Sequence, residues 1–402
     1  MFVYPSSRDP LHVVIAPVPA AGHVNPTLGL VAELVRWGHR VSYLTTEAFA
    51  DRVRAAGAVH VPLPQALTHD PGAWPRDMSR LPLFFLEEAR AVLPRLEEAL
   101  ADRPDIVLSE DPAGGIRVLA RSWGVPSLQI WQFFATRRHW TVQADLGSYG
   151  GFPHRDEYLA SLGEILTEHG VEASVEEYLD AEVDGGVVFL PRAFQYEGGS
   201  FGQRYAFVGP CPDPGRTDEA WEPADDRPVL LVSLGSMDNA HADFFRRCVT
   251  AFADAPWRVV LAIGGRVRRE ELGPLPEHVE AHAWVPQVAV LRRASAFVNH
   301  GGMGSVMEGL AAGVPMVCVP RLPEQVANAR RVEELGLGRR LDPADVMAER
   351  LRSEVDRVAT DTRTAERMRW MREEIRGSGG AAEAADAVER AVRGAFPYGR
   401  GR

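Results

Sequence analysis

Residues 284–325 read WVPQVAVLRRASAFVNHGGMGSVMEGLAAGVPMVCVPRLPEQ, and the passage from an apolar run through a glycine turn into a helix decides the fold. Ala296 to Asn299 has the character of a buried parallel strand, and Met316 to Pro320 reads as the next one. Between them, His300, Gly301 and Gly302 predict a tight turn into a helix beginning near Gly302. The first turn of that helix carries little bulk, so its backbone N–H groups can approach an anion, aided by the helix dipole. A diphosphate is the expected guest, because ligands of open α/β sheets sit beyond the carboxyl ends of strands.

Upstream of this segment the same alternation continues, with strands at Val229 to Leu234 and Val259 to Ile263. The stretch GPCPDPGRTDEAWEPADDRP, rich in Pro, Gly and Asp, separates this series from an earlier one. The earlier series has strands at His12 to Val18, Val41 to Thr45 and Ile106 to Leu108, with helices at Phe49 to Ala56 and Ile116 to Trp123. Asn25 is expected to cap the first helix, with Pro26 in its first turn and Leu28, Val31, Leu34 and Val35 along one face. Strand and helix in strict alternation predict parallel sheets covered on both faces. The fold class is therefore α/β, with two doubly wound, Rossmann-like domains. We expect an N-terminal domain over 1–210, a linker over 211–228, a C-terminal domain over 229–380, and a terminal helix and tail over 381–402 that crosses back to the first domain.

Bulk properties agree with a two-domain enzyme. The chain has 402 residues, of which 46% are hydrophobic, and this length exceeds the size at which one core stops growing. A net charge of -11 argues against a general nucleic-acid or anionic-membrane surface. Cys211, Cys248 and Cys318 are odd in number and far apart, which suits a reducing compartment and offers neither a disulfide framework nor a zinc site. The first residues lack the basic and apolar regions of a signal peptide, and no run approaches a membrane span. A cytoplasmic protein, monomeric or homodimeric, is expected.

The quoted segment resembles the donor-binding signature of the family 1 UDP-glycosyltransferases, in particular the bacterial macrolide glycosyltransferase-like branch. The matching positions are Trp284, Pro286-Gln287, His300-Gly301-Gly302, Ser305, Glu308, Gly313, Pro315, Pro320 and Glu324-Gln325. GHVNP at 22–26, FVGP at 207–210 and LVSLGS at 231–236 extend the resemblance over nearly the whole chain. It implies the two-domain GT-B fold, with the N-terminal domain over 1–210 binding the acceptor and the C-terminal domain over 229–380 binding a nucleotide-sugar donor. By the same resemblance Trp284 stacks on the nucleobase beside Val285, and Gln287 and Glu308 bind the ribose. His300, Gly302 and Ser305 hold the phosphates, Ser236 approaches the distal phosphate, and Glu324 and Gln325 read the sugar hydroxyls. Gly304 is a departure, since many relatives carry Asn there.

Transfer to a hydroxyl needs a base. His23, just ahead of the helix expected from Asn25, is the candidate, and the positive end of that helix favours a neutral, proton-accepting ring. The resemblance calls for a carboxylate after the strand Ile106 to Leu108. Glu110 matches by register on PDIVL, and Asp111 beside it remains the alternative; successive residues of an extended chain point oppositely, so one of the two faces His23. The family implies inversion at the anomeric carbon. No Asp-x-Asp pair occurs, so no metal cofactor is expected, and helix N–H groups serve instead. Trp74, Phe84, Phe85, Trp131, Phe134 and Trp140 predict an apolar acceptor pocket in the first domain.

The first reading of the activity is glucose transfer from UDP-glucose to a macrolide, polyphenol or related natural product, because Glu324 and Gln325 suit a hydroxyl-rich hexose. A dTDP-deoxysugar donor is the alternative. A nucleotide-sugar epimerase would have no use for His23 or an aromatic acceptor pocket, and a non-catalytic binding protein would not be expected to keep base, carboxylate and donor segment together.

Overall fold

In the computed structural model, the described residues are 9–63, 77–110, 115–136, 153–182, 186–217, 219–235 and 240–393. The first sheet comprises β1 (His12–Ala16), β2 (Arg40–Thr45), β3 (Val59–Pro62), β4 (Ile106–Ser109), β5 (Ser127–Trp131), β6 (Gly186–Val188) and β7 (Tyr205–Phe207). All its strands run parallel, in the order β3-β2-β1-β4-β5-β6-β7. The second holds β8 (Val229–Ser233), β9 (Arg258–Ala262), β10 (Val279–His282), β11 (Ala294–Asn299), β12 (Met316–Cys318) and β13 (Gly338–Arg340), also parallel, in the order β10-β9-β8-β11-β12-β13.

Parallel strands covered on both faces must be apolar throughout. Accordingly Val13, Val14 and Ile15 in β1 and Leu230, Leu231 and Val232 in β8 have no exposed surface. The covering helices of the first half are α1 (Ala21–Arg36), α2 (Ala50–Ala55), α3 (Leu81–Ala99), α4 (Gly115–Trp123), α5 (Arg155–Glu168) and α6 (Val175–Glu182). A one-turn helix, α7 (Pro214–Thr217), follows in the connection. The second half has α8 (Ala242–Phe252), α9 (Gln287–Leu291), α10 (Met303–Ala312), α11 (Pro323–Glu334), α12 (Ala348–Thr360) and α13 (Thr362–Gly377).

In each sheet the order reverses between two neighbours, β1 and β4 in one, β8 and β11 in the other. A crevice opens beyond the carboxyl ends of such strands. His23 and Glu110 follow β1 and β4, and the glycine turn follows β11, so both switch points supply candidate site residues.

The last helix, α14 (Gly380–Val392), returns to the first sheet: its Ala384, Ala385, Val388 and Ala391 share one buried cluster with Val24, Leu28 and Val31 of α1. His39 Nε2 and Glu389 Oε1, 3.1 Å apart and buried, join the same two regions. The connection is also pressed onto α1. A Cβ on Gly29 would lie 2.7 Å from the carbonyl oxygens of Cys211 and Pro212, so only glycine permits this crossing. Among the described residues no helix is long and apolar enough to cross a membrane.

The structure corrects the start of α1. The helix begins at Ala21 rather than after Asn25, with Ala20 at the N-cap and no side-chain cap. Pro26 lies inside it, and Asn25 accepts a hydrogen bond from Arg52 at 2.5 Å instead of capping. His23 therefore sits on the first turn of the helix itself.

Candidate active site

His23 Nδ1 and Glu110 Oε1 are 2.6 Å apart, the His side chain 29% exposed and the Glu 2%. The second oxygen of Glu110 accepts from the Val18 amide at 3.0 Å, so the carboxylate is fixed before it meets the ring. This pairing favours Nδ1 as the protonated nitrogen and leaves Nε2 free of the carboxylate. Gln132 Nε2 donates to the His23 carbonyl at 3.2 Å, a contact that no spacing in the sequence announced. Asp111 lies outside the described residues.

The expected neutral ring is not what these surroundings favour. Burial lowers the His23 pKa, but the charge of Glu110, its hydrogen bond and the charge of Glu324 all raise it, and the sum leaves it above the ordinary 6.5. Glu324 belongs to α11, on the other side of the cleft. The residue is exposed, yet protein crowds around its carboxylate, and this desolvation pushes its pKa up against the opposing pull of His23 and Asn328. One imidazole thus faces carboxylates from both halves of the molecule.

In the second half, the His300 ring is wedged between two glycines. A Cβ on Gly235 would lie 2.6 Å from its Cε1, and one on Gly302 would lie 2.3 Å from its Nε2. Asn299 Oδ1 accepts from the Gly301 amide at 2.7 Å, and Asn328 Nδ2 donates to the Gly301 carbonyl at 2.9 Å, which fixes the turn from both sides. Asn328, one helical turn beyond Glu324, was not legible as a site residue.

Gln287, Ser305 and Glu308 come together. Gln287 Nε2 donates to Glu308 Oε2 at 2.7 Å and lies 3.4 Å from Ser305 Oγ. Trp284 is 66% exposed, unusual for an indole, and leaves a π-face open, whereas Val285 is buried. Nothing lies within 4 Å of a Cβ placed on Gly304, so the site keeps room at this position. A cavity of about 510 Å³ between α1 and α10 is lined by Gly22, Asn25, Gly304, Glu308 and, from the connection, Arg216. Among the described residues no group of three or more His, Cys, Asp or Glu side chains could hold a metal ion.

Several expected contacts take another form. Gln325 is buried, and its Oε1 accepts from the amides of Arg321 and Leu322 at 2.9 and 3.2 Å, so this oxygen is committed to the start of α11 rather than to a sugar. Trp131 and Phe134 were expected to line an acceptor pocket. Both are buried in a cluster that reaches Met303 and Val306 of the other half, and Phe134 stacks on Phe194 with ring centroids 5.7 Å apart. Phe84 and Phe85 are half-buried on α3, at 5.9 Å between centroids. Trp74, Trp140 and Ser236 lie outside the described residues.

Comparison with known proteins agrees with this geometry. Residues 247–390 match the family described as erythromycin biosynthesis protein CIII-like, C-terminal domain. The chain is 37% identical over 388 residues to the NDP-glycosyltransferase YjiC of Bacillus licheniformis, covering 94% of this chain and 97% of that protein. It is 39% identical over 399 residues to the demethyllactenocin mycarosyltransferase of Streptomyces fradiae, covering 94% and 86%. The solved structure of the calicheamicin glycosyltransferase CalG4 matches with a TM-score of 0.85 and 42% identity, over 96% of this chain and 99% of that one. The chain therefore belongs to the bacterial NDP-sugar-dependent glycosyltransferases of GT-B fold, in the macrolide glycosyltransferase-like branch. It is an enzyme that transfers a sugar from a nucleoside diphosphate sugar to a small-molecule acceptor.

Proposed function

We propose that the donor is a dTDP-activated deoxysugar, transferred with inversion to a hydroxyl of a hydrophobic natural product, with His23 as base and Glu110 as its partner. The observation that carries the chemistry is the 2.6 Å pair between His23 Nδ1 and Glu110 Oε1, opposite a helix start suited to a diphosphate. With Nδ1–H held by Glu110, Nε2 takes the acceptor proton as the hydroxyl oxygen attacks the anomeric carbon. The bond from that carbon to the diphosphate breaks, and the nucleoside diphosphate departs with its electron pair. Glu110 stabilises the imidazolium that results. The amide groups at the start of α10, with His300 and Ser305, stabilise the leaving charge. Attack from the His23 side, away from the diphosphate, inverts the anomeric centre.

Two considerations favour the deoxysugar over the glucose donor expected first. With the Gln325 oxygen committed to the helix start, the pair Glu324-Gln325 has fewer groups to spend on a hydroxyl-rich hexose. The mycarosyltransferase relative points the same way. Phe84 and Phe85 support an apolar acceptor. The test is mass spectrometry of a mixed aglycone panel incubated with the enzyme and either a dTDP-deoxysugar or UDP-glucose. Adducts with the deoxysugar mass are expected to dominate; products from UDP-glucose alone would overturn the donor assignment.

A further inference from the structure

We propose that Arg216, on the linker helix α7, is a specificity-determining residue that lets the ribose subsite accept nucleotides with and without a 2′-hydroxyl. The inference rests on reading the cleft as a nucleoside diphosphate sugar site and deepens it. Both oxygens of Glu308 are engaged: Oε1 by Arg216 Nη1 at 2.5 Å and Oε2 by Gln287 Nε2 at 2.7 Å. The Arg216 and Glu308 side chains are only 22% and 20% exposed, and both line the interdomain cavity.

A site that binds a hydroxyl through a secluded carboxylate normally rejects the analogue lacking it, because the carboxylate is left short of a donor. Here that shortfall is removed by a cation from outside the donor half. A carboxylate offers about four acceptor directions. Two are taken in this site, so a ribose diol still finds acceptors, while a 2′-deoxyribose leaves Glu308 bonded to Arg216 and Gln287.

Arg216 is held in place for this role. Within the same linker, Asp213 accepts from Arg52 Nη2 at 2.8 Å, and the other terminal nitrogen of Arg52 binds Asn25 on α1. The backbone just before it is pressed against Gly29. The guanidinium thus reaches Glu308 from a segment fastened to the opposite domain.

The experiment is titration calorimetry of the full chain and its Arg216→Ala and Arg216→Lys variants with UDP, dUDP and dTDP. UDP and dUDP differ only in the 2′-hydroxyl, which separates that group from the base methyl. The unsubstituted protein should bind dUDP within about threefold of UDP, and Arg216→Ala should widen the ratio to about tenfold or more, mainly through weaker dUDP binding. Arg216→Lys, which keeps a cationic donor, should stay near the original ratio. Arg216→Ala/Glu308→Gln should also return toward it, because no charge is left unpaired; this arm decides the matter should the single variant be poorly folded. A ratio unchanged by Arg216→Ala, or a tenfold preference for UDP already present, overturns the inference. Failure of all three nucleotides to bind the unsubstituted protein overturns the donor-site reading itself.

Discussion

At the scale of the residue, His23 is pulled in two directions, and pH separates them. The proposed base must be unprotonated, yet Glu110 and Glu324 raise the pKa of the ring above 6.5. The acid limb of kcat/KM should therefore have its midpoint above that value, and activity should climb as pH rises through it. Glu110→Gln removes the charge that raises the pKa, so burial gains weight: the midpoint should move down while the plateau falls by about 100-fold or more. Rate profiles of both proteins against pH test this, and an unmoved midpoint would dissociate the two residues. Stability carries the opposite sign. A histidine with a raised folded pKa stabilises the fold fully below the unfolded value, and this contribution is lost as pH rises through the folded value. The melting temperature of His23→Ala should thus fall below that of the unsubstituted protein mainly in acid, near about pH 5, and match it near about pH 9. The same variant should abolish transfer and still bind nucleotide, since Trp284, Gln287 and Glu308 sit on the other half.

At the scale of the element, legibility depended on whether burial or local chemistry set the boundary. The strands could be read because parallel, doubly covered strands must be apolar, as in Val229 to Ser233. The start of α1 could not. Asn25-Pro26 has the form of a cap and first turn, but the helix extends back to Ala21, where the His23 and Val24 amides donate to the Ala20 carbonyl at 2.9 and 2.8 Å. Burial of Val24, Thr27 and Leu28 against the sheet outweighs a missing side-chain cap and an internal proline. Glu110 facing His23 was legible through its register after PDIVL, whereas the hydrogen bonds of Gln325 at the start of α11 and the burial of Phe134 were not, because nothing in spacing distinguishes a cap or a core ring from a ligand contact. The start of α10 supplies a sharp test of the donor turn. Gly302→Ala places a methyl against the His300 ring, so nucleotide affinity should fall about tenfold or more with little loss of melting temperature. Gly304→Ala, two residues on, meets open space and gains helix propensity, so affinity should stay within about twofold. Equal effects in calorimetry would mean that the His300 wedge has no part in binding.

At the scale of the whole molecule, the proposed chemistry requires His23 from one half to face Glu324 and the α10 start from the other, and a single arginine does much to set that spacing. Arg331, on the same helix as Glu324, donates from Nε to the Phe194 carbonyl at 2.8 Å and from Nη2 to those of Ala193 and Gln195 at 3.2 and 3.1 Å. Its guanidinium lies over Tyr196, 4.6 Å from the ring centroid, and the Tyr196 hydroxyl donates to the Ala327 carbonyl at 3.4 Å. Nothing in the sequence singles this residue out; only the fold shows it capping three carbonyls of the segment after β6. Desolvation here lowers its pKa, a cost that those carbonyls offset. Arg331→Met keeps the apolar stem and removes the donors, and should destabilise the protein by about 2–4 kcal/mol in denaturant unfolding. Because the proposed nucleotide contacts lie within one half and the proposed reacting groups span both, kcat should fall further than nucleotide affinity. X-ray scattering should show a larger radius of gyration for the nucleotide-free variant. An Arg331→Met protein with the original compactness, and with kcat and affinity reduced in equal proportion, would mean that the spacing across the cleft is set elsewhere.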